Sequence, residues 1–135
     1  MSLMIDTARL LEQDFSSHAM TLAGVTPAEL QALKAEVRRL QQHGDLFAEQ
    51  RARGSLALLD PHDEENWWRL AMLSRANDEP LLALGCYQQL YLLGGDPIAL
   101  LRGQAACLVQ LGKPEVAAQA RQLAQDMEDA KHERR

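Results

Sequence analysis

Few side chains in this chain could do chemistry, and those few are scattered. His18, His43, His62 and His132 fall at loops and helix ends without a shared spacing, so they compose neither a metal set nor a proton relay. Asp63-Glu64-Glu65 puts three carboxylates in a row, but they stand where an apolar helix begins, and a helix N-terminus favours negative charge. Cys86 and Cys107 lie inside apolar runs and read as small core residues of a reducing compartment, not as a disulfide or metal ligands. There is no glycine-rich phosphate loop, nucleophile elbow or metal-ligand spacing, which argues against an enzyme, a cofactor and a metal. What remains is recognition chemistry. Trp67 and Trp68, with Met72 one turn further on, offer apolar anchoring, and Arg38, Arg75 and Arg102 offer forks for acidic groups or carbonyls. The arginines have a plainer reading as a solvated face with local ion pairs, which contribute little.

The elements that must position these residues recur with a period of 34. Ala71 and Ala83 have counterparts in Ala105 and Ala117, and the turn residues Gly44, Asp78 and Gly112 keep the same step. Trp67 projects onto Leu101 and Leu73 onto Cys107. This period, with alanine-sized contacts between paired helices, is that of the tetratricopeptide repeat, whose arrays serve as binding scaffolds. The expected fold is all-α: an α-solenoid of about three helical hairpins behind an N-terminal amphipathic helix.

Composition narrows the partners. The 135 residues suit one domain, and hydrophobic content of 47% with aromatics at 4% favours helix over sheet. A net charge of −5 without a basic block beyond Arg134-Arg135 leaves no footprint for nucleic acid. No apolar run reaches the roughly 18–20 residues that span a bilayer, and no secretory segment opens the chain, so a cytoplasmic, non-membrane protein is expected. Met1-Ser2-Leu3 read as an addition ahead of a start at Met4.

Seven helices can be drawn. The first, Ile5 to Phe15, carries Ile5, Ala8, Leu11 and Phe15 on one stripe, too short to stand alone and suited to a homodimer contact. Thr26-Pro27-Ala28-Glu29 is a capping box that opens the second, with Leu30, Leu33, Val37 and Leu40 inward and Gly44 at its end. Asp45 and Asp63 cap the next two, and Pro80, Pro97 and Pro114 open the last three. Residues 1–25 form the N-terminal helix and loop, 26–131 the repeat domain and 132–135 a charged tail, and the high charge from Met127 to Arg135 predicts a frayed, solvated end. In the first hairpin Glu49 stands where the later ones carry Ala83 and Ala117, which should hold that helix pair further apart.

In a solenoid of this kind the first helix of each hairpin lines the concave side. The groove positions are then Lys34, Arg38 and Gln41; Trp68, Met72 and Arg75; and Arg102, Ala106 and Val109. Neighbouring tryptophans on a helix point about 100° apart, so they cannot share a core. Trp67 takes the place of the aromatic between paired helices. Trp68 either faces the groove or packs under the N-terminal helix or an adjacent hairpin.

From about Phe15 to Met127 the chain resembles the tetratricopeptide class II chaperones of bacterial type III secretion. The likeness is carried by Met20-Thr21-Leu22-Ala23-Gly24-Val25-Thr26-Pro27, by Leu56-Ala57-Leu58-Leu59-Asp60-Pro61 with Trp67-Trp68-Arg69-Leu70-Ala71, and by Gln104-Ala105-Ala106-Cys107-Leu108-Val109-Gln110-Leu111-Gly112 before Ala117. The resemblance implies a non-catalytic chaperone that holds an extended segment of a secreted translocator, its protein client, in the groove, and a homodimer built by the helices before the repeats. The family carries aromatics on the groove side of its first repeat helix, where this chain has Lys34, Arg38 and Gln41. That difference moves the apolar anchor to Trp68 and Met72. The alternative is a structural adaptor or secretion-apparatus subunit held permanently in a complex.

Overall fold

The computed structural model describes residues 24–134. The expected helix over Ile5–Phe15, with its stripe of Ile5, Ala8, Leu11 and Phe15, lies outside the described residues. The described chain is helical, with no strand among its residues: α1 (Pro27–His43), α2 (Leu46–Leu59), α3 (Glu64–Ala76), α4 (Pro80–Leu92), α5 (Pro97–Gln110) and α6 (Pro114–Glu133). Its packing gathers into two compact units, divided between Asp63 and Glu64.

In the first unit α1 packs against α2. Thr26 begins α1 with a reciprocal cap: its hydroxyl accepts from the Glu29 N–H at 3.2 Å, and the Glu29 carboxylate accepts from the Thr26 N–H at 3.4 Å. Pro27 follows at the first helical position, where a missing N–H costs nothing. Of the expected stripe only Val37 is fully buried; Leu30, Leu33 and Leu40 are half-covered. The buried face of α2 is unusual in chemistry, holding Glu49, Gln50 and Arg53 beside Leu56 and Ala57. The Arg53 Nε donates to Glu49 at 2.6 Å, and its Nη2 donates to the Gln41 side-chain oxygen on α1 at 2.7 Å. An ion pair thus occupies the level at which the later hairpins use alanine.

In the second unit α3 packs on α4, α4 on α5 and α5 on α6. Ala71, Ala83 and Ala117 are wholly enclosed and Ala105 nearly so, as an approach through small side chains requires. Leu70, Leu73, Cys86, Tyr87, Leu90, Ile98, Leu100, Cys107 and Ala124 are the other buried apolar residues of this unit. The final helix continues to Glu133, so the charged end expected to fray is helical, with Glu128 and His132 one turn apart at 3.3 Å.

The turns repeat one geometry. Gly44, Asp78 and Gly112 all have left-handed backbone, with φ of 74°, 59° and 75°. Each donates its N–H three residues back, to Gln41, Arg75 and Val109, while the next residue donates five back, to Leu40, Ser74 and Leu108. This double closure satisfies carbonyls that a helix end leaves open. Gly94 and Gly95 close α4 in the same way onto Tyr91 and Leu90. Asp78 holds this conformation without being glycine, which a short polar side chain tolerates and a β-branched one does not.

Candidate functional site

The site begins with the placement of Tyr87. Its ring is enclosed, 2% exposed, and lies against the backbone of α5 at Gly103. A Cβ built on Gly103 would come within 2.4 Å of the tyrosine ring and 2.7 Å of its hydroxyl oxygen, so a glycine is required there. The Trp68 ring meets the Tyr87 ring edge-on, with centroids 5.9 Å apart. Trp67, expected to be the enclosed aromatic of this hairpin, is only partly buried; Tyr87 has that role because Gly103 opens room for it.

Around this pair a cleft of about 370 Å³ opens within the second unit. On α3, Trp68, Met72 and Arg75 follow one another at helical spacing and line one wall; on α5, Ile98, Arg102 and Gly103 line another. Met72 is 54% exposed at its mouth. A second cleft of about 430 Å³ shares Met72 and Arg75 and continues along α5 past Ala106 and Gln110. The Gln110 side chain donates to the Arg75 carbonyl at 3.0 Å and ties the end of α3 to α5.

The polar groups here are unevenly satisfied. Arg75 donates through Nη1 to the Tyr87 hydroxyl at 3.4 Å, a long contact, and its Nε is shut from solvent with no hydrogen-bond partner among the described residues. Arg102 is exposed and makes no ion pair among the described residues. Asp96 spends an oxygen capping α5 at the Ile98 N–H, 3.3 Å away, and Glu128 pairs with His132. Burial raises the Tyr87 pKa, with Arg75 opposing that rise, so the hydroxyl stays neutral near neutral pH.

Of the residues expected to line a groove, Trp68, Met72, Arg75, Arg102 and Ala106 come together in these two clefts. Val109 lines neither and is 49% exposed. Lys34, Arg38 and Gln41 belong to the first unit. There Lys34 pairs with Asp60 at 3.0 Å, Gln41 receives the Arg53 donor, and Arg38 is exposed. Tyr87, Gly103 and Ile98 were not among the expected positions. The one available signal was Gly103 inside an apolar helical run, where a glycine marks a close approach.

Among the described residues no three His, Cys, Asp or Glu side chains gather as a metal set. None of the described helices is long and apolar enough to cross a membrane. A scan against protein-family models matches none of them, and a search of curated proteins finds no match.

Proposed function

We propose that this protein is a non-catalytic chaperone of tetratricopeptide type. It holds an extended segment of a type III secretion translocator in the bacterial cytoplasm before export, and it works as a homodimer. The observation that carries the reading is the cleft in which Trp68 and Met72 of α3 face Ile98 and Arg102 of α5. It joins the first helices of two successive hairpins, which is where a solenoid presents its ligand-binding side. The turn geometry recurring at Gly44, Asp78 and Gly112 supports a repeat array, since each of the three hairpins closes through the same backbone turn.

Aromatic anchors dominate such interfaces, so Trp68→Ala should weaken client binding by roughly 2 kcal/mol, about thirtyfold, with the fold retained. Calorimetric titration of a translocator segment into wild type and variant measures this. An unchanged affinity would remove the cleft from the binding reaction.

A structural adaptor is the second reading, and one observation favours it. Helix α4 carries no charged residue from Pro80 to Leu92, yet Leu81, Tyr91 and Leu92 are 72%, 66% and 65% exposed. An uncharged, largely apolar outer face suits a permanent partner. Light scattering on the protein alone separates the two: a soluble dimer supports the chaperone, and aggregation supports the adaptor.

A further inference from the structure

Within a chain whose net charge is −5, the cleft holds two arginines, Arg75 and Arg102, that make no ion pair among the described residues. Asp96 and Glu128 also line the cleft, but Asp96 accepts from the Ile98 N–H at the α5 N-terminus, Glu128 lies 3.3 Å from His132, and neither pairs with the arginines. Arg75 has an Nε hidden from water and without a partner among the described residues, an arrangement that costs free energy. Arg102, on α5, is exposed and lines the same cleft. A guanidinium fork matches a carboxylate better than any other group a peptide can offer.

From these groups we propose that the cleft selects extended segments in which a large apolar side chain is followed, two or three residues along, by an Asp or Glu side chain. The apolar residue seats against Trp68 and Met72, and the carboxylate meets Arg75 and Arg102. Helical rise sets the spacing. Trp68 and Arg75 are separated by about 10 Å along α3 and Met72 and Arg75 by about 5 Å, and an extended peptide covers roughly 3.3 Å per residue. This selectivity rests on the peptide-binding reading of the cleft.

The test uses the full chain and fluorescent peptides capped at both ends, in a Ser/Gly background. Each carries one Leu and, three residues later, Glu, Gln or Lys; a fourth has Gln and a free C-terminal carboxylate. Binding is read by fluorescence polarisation. The Glu peptide should bind about tenfold more tightly than the Gln peptide, the usual advantage of a charge-assisted hydrogen bond. Arg102→Gln should shrink that ratio, and Arg102→Glu should turn the preference toward the Lys peptide. Because Arg102 is exposed the fold should survive both changes, which the thermal transition verifies. Equal binding of the three capped peptides, still weakened by Trp68→Ala, would overturn the acidic selectivity and leave the groove intact. Tight binding of the free-carboxylate peptide alone would also overturn it, in favour of a chain terminus. If none of the peptides binds, the groove itself is refuted along with its selectivity.

Discussion

Gly103 and Tyr87 show how much a single missing methyl can position. The tyrosine is the largest enclosed side chain of its unit, and it lies where a Cβ on α5 would stand. Gly103→Ala should therefore destabilise the protein by about 1–3 kcal/mol in urea denaturation, despite alanine's better helix propensity of about 1 kcal/mol. Adding Tyr87→Leu should recover part of that loss, since it removes the atoms the new Cβ meets. The thiols make a second residue-level case. Burial lifts the Cys86 pKa from its ordinary 9.0 to about 11, helped by the nearby Cys107, whose own pKa burial also raises. Neither thiol should react with a thiol reagent at pH 8 until the protein unfolds. The sign of the pH effect follows. Between pH 9 and 11 the unfolded thiol loses its proton while the folded one keeps it, so stability falls as pH rises. The Cys86 contribution, on the order of 2 kcal/mol, is present below pH 9 and gone above pH 11. Thermal melts from pH 7 to 11 measure it, and a flat profile would contradict the burial of these groups. The divergence of Trp68 from Trp67 is legible in the sequence because helix periodicity points neighbours about 100° apart, while the choice between groove and packing for Trp68 depends on other elements. Tyr87 was not legible, because its position depends on which residue of another helix lies opposite.

At the level of elements, starts and stops were the most legible part. Thr26 with Glu29, the prolines at 80, 97 and 114, and the left-handed turns at Gly44, Asp78 and Gly112 all act through local backbone chemistry, which the sequence states directly. The interior of the α1–α2 pair was less so. Glu49 and Arg53 are four apart on a helix, a spacing that ordinarily reads as a solvated surface pair, and nothing local reveals that both are buried. Burial changes the energetics. A buried pair is close to neutral against apolar replacements, but removing one member strands a charge and costs about 3–5 kcal/mol. Glu49→Ala should thus lower stability by about 3 kcal/mol, and Glu49→Ala with Arg53→Leu should restore much of it. Equal losses in the single and double variants would mean that the pair serves as packing and not as a charge balance.

Across the whole molecule, the enclosed apolar residues are distributed unevenly. Among the described residues of the first unit they are Val37, Leu56 and Ala57, beside buried Glu49, Gln50 and Arg53. In the second, each of the four helices contributes fully buried positions, and the candidate cleft is built on that better-packed scaffold. A binding site gains affinity from preorganisation, so placing Trp68, Arg75 and Arg102 on helices with enclosed apolar cores is a physically favourable arrangement. Stability should follow the same division. Amide exchange reports local opening, which is cheapest where little apolar surface is exposed by it. The amides of α1 and α2 should exchange earlier than those at the centres of α3, α4 and α5, with the slowest near Ala71, Cys86 and Cys107, where exposure is 0–2%. Hydrogen–deuterium exchange read by mass spectrometry at peptide resolution tests this without mutation. Uniform protection from Pro27 to Gln110 would mean that the two units unfold as one, and that the Arg53–Gln41 hydrogen bond, with Arg53 held by Glu49, binds α1 to α2 as firmly as an apolar core would.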